Sequence, residues 1–299
     1  MTPTLAQDRL LGLAAPAKIN LFLHVTGRRA DGLHELQTVF QFVSLYDEVD
    51  LIAIDADRIE RDGDLVDLDD AVDLTMRAAR LLKRETGSRQ GARIVVRKQI
   101  PAGGGLGGGS SDAATVLIGL NRLWQLGLDR TRLATLSLEL GADVPVFIGG
   151  RNAWAEGIGE RLEPLELPKS AFRLGWPGIS IATRDIFTDP ELTRNTPPAR
   201  IRGFSEIART ANLWSWLAAN ARNDLQEVAV KRYPQVAHLL HEMGEAEQSP
   251  LVRMSGSGSC CFAVNDGREG RSAVGFGSGA WKSWQVEGLD RHPLFDLLK

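Results

Sequence analysis

The sequence predicts an α+β protein of two domains, each of which combines strands and helices. At 299 residues, 43% hydrophobic and 24% charged, the chain can bury a substantial core and divide into two domains. Its first half is rich in β-forming residues and then becomes helical, and the pattern starts again with strands near Ala155. We therefore expect domains at residues 1–155 and 156–299. The last residues, from Val286, are candidates to pack back on the first domain.

The first predicted element is a strand near the N-terminus with one apolar face and one mixed face. Apolar residues alternate along it with a second set that includes a lysine and an asparagine: Ile19, Leu21, Leu23 and Val25 against Lys18, Asn20, Phe22 and His24. This period of two places Lys18 and Asn20 on the same side of the strand. Two β-rich stretches follow at residues 39–43 and 49–54, and helical spacing over 71–86 predicts a helix that stops at Gly87.

A glycine-rich loop is the most informative segment of the chain. Residues 101–114 read Pro-Ala-Gly-Gly-Gly-Leu-Gly-Gly-Gly-Ser-Ser-Asp-Ala-Ala. Without Cβ atoms the backbone can direct successive N–H groups into one concavity. A β-rich run over 92–100 precedes the loop, and residues 110–112 stand where an amphipathic helix could begin. This strand, loop and helix together predict a phosphate-binding site.

Other functions of a glycine-rich segment fit less well. A flexible linker is disfavoured because the loop lies between a β-rich run and an amphipathic helix. A Walker loop is excluded because no lysine follows the glycines. Gly103, Gly105 and Gly108 match the dinucleotide pattern G-x-G-x-x-G, but the acidic residue at the expected distance, Asp129, follows a helix terminus rather than a strand. A dinucleotide-binding domain therefore remains the weaker alternative.

A second candidate segment contains Asp143. Gly141 suits the end of a helix, and Pro145 disfavours helical angles at Val144, so we expect Asp143 on a short rigid connector. Loop residues that a rigid scaffold holds are frequent sites of catalysis, although an ordinary loop aspartate would have the same sequence.

Composition excludes several classes of protein. A net charge of −3 provides no basic field for nucleic acid. No apolar run approaches the length of a membrane helix, and residues 1–13 lack the apolar core of a signal peptide, so we expect a cytoplasmic protein. Cys260 and Cys261 are adjacent and would point to opposite sides of a strand, which predicts core packing rather than a disulfide or a metal cluster.

Three segments in order along the chain resemble the motifs of the GHMP kinases, the superfamily of galactokinase, homoserine kinase and the mevalonate kinases. They are Pro16 to Leu23, the glycine-rich loop Pro101 to Ala114, and the second glycine-rich turn Met254 to Phe262. The resemblance implies the two-domain GHMP kinase fold, with an N-terminal ATP-binding domain and a C-terminal α/β domain on the substrate side.

The same resemblance implies roles for individual residues. Asp143 would be the catalytic base, and Lys18 would keep it ionised and orient the substrate hydroxyl. Magnesium would bridge the phosphates, with Ser111 as a candidate ligand, although Ser110 and Ser111 could instead cap the helix. The loop would bind ATP through Pro101, Ala102, Gly103, Gly104, Gly105, Leu106, Gly107, Gly108, Gly109, Ser110 and Ser111.

Within the superfamily, residues 16–43 and 186–197 resemble the branch that phosphorylates the 2-hydroxyl of a diphosphocytidyl derivative of methylerythritol, for isoprenoid precursors. By this resemblance Asn20 would face the erythritol, His34 would read the cytosine edge, and Phe187 would stack on the ring. The branch often has tyrosine where this chain has Leu33, so the cytosine ring would lie between Phe187 and an aliphatic side chain instead of between two aromatic rings.

The implied partner is thus a small molecule, with no nucleic acid or membrane, and the protein would be a monomer or a homodimer. Two alternatives stay open on the same scaffold. One is a kinase of homoserine or mevalonate, and the other is a nucleotide-binding protein without catalysis, which the joint presence of Lys18 and Asp143 disfavours.

Overall fold

The computed structural model describes residues 3–65, 67–199, 201–208, 210, 213–247, 249–265 and 281–298. Within these residues strands and helices are mixed along the chain, which confirms the α+β class. The strands are β1 (Thr4–Leu5), β2 (Arg9–Arg28), β3 (His34–Ile54), β4 (Ile59–Gly63), β5 (Gly91–Arg97), β6 (Ala153–Gly157), β7 (Arg161–Pro164), β8 (Ala171–Trp176), β9 (Val252–Met254), β10 (Cys261–Asn265) and β11 (Lys282–Leu289).

The helices belong mainly to two groups, one before β6 and one between β8 and β9. They are α1 (Leu74–Thr86), α2 (Gly108–Leu123), α3 (Arg130–Ser137), α4 (Val144–Gly149), α5 (Thr183–Phe187), α6 (Ile201–Ala208), α7 (Leu213–Asn220), α8 (Asp224–Arg232) and α9 (Pro234–Glu247), followed by a 3₁₀ turn at Phe295–Leu298. None of the helices in the described ranges is long and apolar enough to span a membrane.

The long antiparallel pair of β2 and β3 is the centre of the sheet. β3 also pairs with β5 and β6 on its other side. The two β-rich stretches predicted at 39–43 and 49–54 form one strand, because Tyr46, Asp47 and Glu48 continue the pairing with β2 after a register shift. β11 pairs with both β3 and β8, so one sheet extends from the first half of the chain into the second.

Helices α1 to α4 and the central strands enclose the first core. Helix α1 starts at Leu74 rather than at the expected residue 71, because Asp73 caps it by accepting the N–H groups of Thr75 and Met76. Gly87 ends it with a φ of 68°, as predicted from the sequence. Helix α2 is almost wholly buried, with Val116, Leu117 and Leu120 fully covered. This burial anchors the helix whose N-terminus forms part of the site described below.

In the second half, α9 packs on the sheet formed by β8, β9 and β10, and α8 packs against α9 and β2. Cys260 and Cys261 are both buried free thiols, and they belong to different apolar clusters on opposite sides of this sheet. The predicted core positions of both cysteines are therefore confirmed. Burial raises the pKa of the Cys261 thiol, which keeps it protonated and unreactive.

The C-terminal segment contacts helices of the first half. The His292 N–H group donates to the Gly150 carbonyl at 2.9 Å, and Arg130 donates to the Phe295 carbonyl at 2.6 Å. Leu294 is buried in the same cluster as α2.

Candidate active site

A cavity of about 590 Å³ lies where β2, the glycine-rich loop and the second glycine-rich turn meet. Its polar wall includes Lys18, Asn20, Lys98, Asp112 and Asp143. Residues from all three sequence motifs therefore share one cavity. A volume of this order is typical of sites that bind small molecules.

Lys18 lies on β2 with only 3% of its side chain exposed. Its Nζ donates to Asn20 Oδ1 at 2.6 Å and to the Gly105 carbonyl at 3.2 Å. The Asp143 Oδ2 atom is 3.3 Å away, and among the described residues it belongs to the one carboxylate within ion-pair distance of this ammonium. The alternating pattern of β2 thus brings a buried cation to the edge of the glycine-rich loop.

Asp143 lies immediately before α4, and its side chain is 37% exposed. The expectation that Pro145 would keep Val144 out of a helix is wrong. Val144 is the first residue of α4 and Pro145 is the second, a position where proline is tolerated because no N–H donor is needed there. The Asp143 carboxylate makes no capping hydrogen bond with the helix, so it stays available to a ligand.

The amide of Asn20 has a fixed orientation. Its Oδ1 accepts from Lys18, and its Nδ2 donates to Thr38 Oγ1 at 2.9 Å. The Asn20 backbone N–H donates to Ser255 Oγ at 3.1 Å, which ties β2 to the second glycine-rich turn. Asn20 is 2% exposed and lines the cavity beside Lys18, where it could contact a hydroxyl of the substrate.

The glycine-rich loop packs against the second glycine-rich turn, and this contact requires its glycines. At Gly105 the φ is +73°, and a Cβ would lie 2.1 Å from the Ser255 carbonyl oxygen. The Gly105 carbonyl in turn accepts from Lys18 and from Ser255 Oγ. The loop is therefore held rigidly at the cavity, with its N–H groups preceding the buried helix α2.

Helix α2 begins earlier than the expected residues 110–112. Gly107 precedes its first turn, so neither Ser110 nor Ser111 caps the helix, and that alternative is wrong. Ser110 lines the cavity, whereas Ser111 is fully buried and outside the cavity lining. The glycines can adopt helical angles because packing of α2, rather than intrinsic propensity, sets where this helix begins.

A buried charge cluster supports the start of the loop, and sequence reasoning missed it. Lys98 Nζ contacts Asp47 Oδ2 and lies 2.5 Å from Asp112 Oδ2. Asp47 Oδ1 also accepts the N–H groups of Gln99 and Ile100, at 2.5 and 2.8 Å. Burial raises the pKa of Asp112, although Lys98 opposes that effect. The spacing of the three residues carries no recognisable pattern, so their pairing was visible only in three dimensions.

His34 and Phe187 come together at the substrate side. Their ring centroids are 5.0 Å apart with an interplanar angle of 33°. Phe187 lines the cavity, and His34 lies against it. Leu33 is 49% exposed and, like His34, is not part of the cavity lining. Its role as a wall of the site stays a prediction.

Two side-chain oxygens in the first turns of α2 are candidate ligands for a magnesium ion. Ser111 Oγ and Asp112 Oδ1 are buried and have no hydrogen-bond partner in the described part of the chain. No cluster of three or more histidine, cysteine or acidic residues with metal-site geometry occurs among the described residues. Hydroxyl and carboxylate oxygens suit Mg²⁺, which takes few protein ligands when it is bound to nucleotide phosphates.

The family model for the GHMP kinases N terminal domain matches residues 73–151, and that for the GHMP kinases C terminal domain matches residues 206–275. The chain is 46% identical to 4-diphosphocytidyl-2-C-methyl-D-erythritol kinase of Azoarcus sp. (strain BH72), covering 97% of this chain and 98% of the relative. It is 48% identical to the kinase of the same name from Halorhodospira halophila (strain DSM 244 / SL1), over 94% and 93% of the two chains.

Solved structures of GHMP kinases have the same fold as this chain. A crystal structure of 4-(cytidine 5'-diphospho)-2C-methyl-D-erythritol kinase superimposes with a TM-score of 0.74 at 34% identity, over 92% of this chain and 98% of that one. Homoserine kinase from Cytophaga hutchinsonii shares the fold, with a TM-score of 0.69 at 16% identity over 98% of each chain. The expected GHMP kinase fold is confirmed, and the chain belongs to the 4-diphosphocytidyl-2-C-methyl-D-erythritol kinase family of the GHMP kinases.

Proposed function

We propose that this protein transfers the γ-phosphoryl group of ATP to the 2-hydroxyl of 4-diphosphocytidyl-2-C-methyl-D-erythritol, a step in non-mevalonate isoprenoid precursor synthesis. The observation that carries the proposal is the Lys18–Asp143 pair, 3.3 Å apart, in one cavity with the glycine-rich loop. The membership of the chain in a kinase family supports the same reaction.

Asp143 supplies the base in this proposal. Phosphoryl transfer depends mainly on in-line positioning and on neutralising charge, with a group near the nucleophile to accept its proton. The hydroxyl oxygen forms a bond to the γ-phosphorus, its proton passes to the Asp143 carboxylate, and the bond to the β-phosphate oxygen breaks to release ADP. The lack of a capping hydrogen bond and the partial exposure of Asp143 leave its oxygens free for that proton.

Lys18 and Asn20 orient the acceptor. The Lys18 ammonium is fixed by Asn20 and by the Gly105 carbonyl, so it holds a positive charge beside the hydroxyl without needing to reorganise. Because Lys18 also contacts the carbonyl of the glycine-rich loop, the group that faces the acceptor and the loop that faces ATP are connected. This arrangement sets the distance between the two substrates.

The glycine-rich loop and the first turn of α2 bind the ATP phosphates through backbone N–H groups and the positive helix end. Magnesium would neutralise negative charge on the phosphates. Ser111 Oγ and Asp112 Oδ1 would be its protein ligands; Asp112 lines the cavity, whereas Ser111 would have to reach the ion from outside that lining. Both are oxygens without a partner in the residues that the structure describes.

ADP release is the experiment that tests the acceptor. The protein is incubated with ATP and Mg²⁺ and with each of three alcohols in turn: 4-diphosphocytidyl-2-C-methyl-D-erythritol, homoserine and mevalonate. We expect ADP only with the first alcohol, and the product should carry phosphate on the 2-hydroxyl by ³¹P NMR. ADP formed only with homoserine or mevalonate would overturn the proposed acceptor.

A further inference from the structure

Arg194 connects the two aromatic residues on the substrate side. It lies in the segment 186–197, but neither the resemblance nor the proposed mechanism assigns it a role. Its Nε donates to His34 Nε2 at 3.1 Å. Its Nη2 donates to the Phe187 carbonyl at 3.0 Å and to the Asp189 carbonyl at 2.6 Å, and its Nη1 donates to the Leu192 carbonyl at 3.0 Å. One side chain therefore fixes a ring on β3 relative to the end of α5.

The contact with His34 determines where that ring carries its proton. An arginine nitrogen can only donate, so His34 Nε2 has to accept and cannot itself be protonated. The neutral ring then carries its hydrogen on Nδ1, because the tautomer is set by the bond that the other nitrogen makes. Nδ1 makes no hydrogen bond with the residues that the structure describes, so this donor is left for a ligand.

The charges around the ring favour the same state. Burial, then the positive charges of Arg194 and Arg28, lower the pKa of His34 below its ordinary value. Since Arg28 lies on β2 and Arg194 follows α5, cations face the ring from two elements. His34 is consequently neutral at physiological pH, and its single ring N–H is Nδ1–H.

We propose that Arg194 is a positioning residue for recognition of the pyrimidine base: it holds His34 as an Nδ1–H donor beside Phe187. Cytosine offers two acceptors, O2 and N3, on its pairing edge, and a fixed N–H donor is complementary to either one. This inference rests on the proposed function for the identity of the base. Leu33 offers no aromatic face, so a larger share of base recognition falls on this hydrogen bond.

The Arg194→Met variant tests the proposal, and Arg232→Met is its matched control. Arg232 also holds the end of α5, through the Asp185 carbonyl at 2.8 Å and Asp189 Oδ2 at 3.2 Å, but its bonds do not include His34. The KM for the diphosphocytidyl substrate is measured from pH 5.5 to 8.5 for both variants and for the unmodified protein. At pH 8 we expect the KM of Arg194→Met for the diphosphocytidyl substrate to rise about tenfold, with kcat and the KM for ATP within twofold of normal.

The pH profile distinguishes a tautomer effect from a general loss of structure. Without Arg194 the neutral ring can carry its proton on Nε2, and Nδ1 then becomes an acceptor at high pH. Below the pKa of His34 both nitrogens are protonated, so Nδ1–H returns and the rise in KM shrinks. For Arg232→Met we expect the ratio of its KM to the KM of the unmodified protein to stay constant across this pH range. Equal and pH-independent defects in the two variants would overturn the proposal.

Nitrogen-15 NMR of the His34 ring measures the tautomer directly in the unmodified protein, with the resonances assigned by their loss in His34→Gln. We expect a protonated Nδ1 and an unprotonated Nε2 at pH 7.5. A protonated Nε2 would refute the proposal whether or not Arg194→Met folds. If the unmodified protein released no ADP with the diphosphocytidyl substrate, the proposed function would fail, whereas the NMR result would still decide the state of His34.

Discussion

Gly105→Ala should destabilise the ligand-free protein and weaken ATP binding. An alanine at a φ of +73° costs about 1–2 kcal/mol. The new Cβ would also lie 2.1 Å from the Ser255 carbonyl oxygen and 3.0 Å from Gly258 backbone atoms, so the loop has to move away from the second glycine-rich turn. That movement disturbs the hydrogen bonds to the Gly105 carbonyl from Lys18 and Ser255, each worth about 1 kcal/mol.

Together these effects amount to roughly 3–4 kcal/mol, which corresponds to a fall in Tm of about 6–16 °C for a chain of this size. Gly109→Ala is the control for stability. Its Cβ would meet only Leu74 Cδ1, at 3.6 Å, and alanine is favoured over glycine within a helix by about 1 kcal/mol. Thermal unfolding without ligand should show a lower Tm for Gly105→Ala but not for Gly109→Ala. Steady-state kinetics should also show a higher KM for ATP in Gly105→Ala. Equal Tm values for the two variants would refute the reasoning.

Three further predictions concern other residues of the site and the core. Lys18→Met should lower kcat about 10²–10³-fold, because it removes the charge beside the acceptor; a kcat within threefold of normal would contradict this. Leu33→Tyr should lower the KM for the diphosphocytidyl substrate or leave it unchanged, since a second ring adds about 0.5–1.5 kcal/mol of stacking; a large rise in KM would show a different pocket. Burial, with Arg130, lowers the pKa of His292 to about 3. Between pH 6.5 and about 3 this histidine therefore binds a proton in the unfolded chain but not in the folded one. The free energy of unfolding should therefore fall between pH 6.5 and about 3, by up to about 1.4 kcal/mol per pH unit, and urea titrations of His292→Gln should lack that contribution. An unchanged pH slope in the variant would contradict the assignment.

Features that depend on local periodicity could be predicted from the sequence. The alternation along β2 placed Lys18 and Asn20 on one face, and both line the cavity. The end of α1 at Gly87 followed from the freedom of glycine to adopt a left-handed φ. The resemblance to the GHMP kinase motifs also indicated the three segments that meet at the cavity, although these segments lie far apart in the chain.

Features that depend on tertiary contacts could not be predicted in the same way. The start of α2 at Gly108 contradicts the low helix propensity of glycine, and packing of the buried helix overrides it. Lys98 meets Asp47 and Asp112 through the pairing of β3 with β5 and the position of α2, which no local pattern encodes. Arg194 reaches His34 from 160 positions away, so its role was visible only once the fold was known.

The turnover of Asp143→Asn tests the central claim most directly. Asp129→Asn is the matched control, since Asp129 also precedes a helix, and its side chain accepts the Arg132 N–H at 2.7 Å. With saturating ATP, Mg²⁺ and diphosphocytidyl substrate, kcat for ADP release should fall at least about 10²-fold in Asp143→Asn and stay near normal in Asp129→Asn. Both variants should keep a Tm close to that of the unmodified protein. Near-normal ADP release by Asp143→Asn would contradict its assignment as the base.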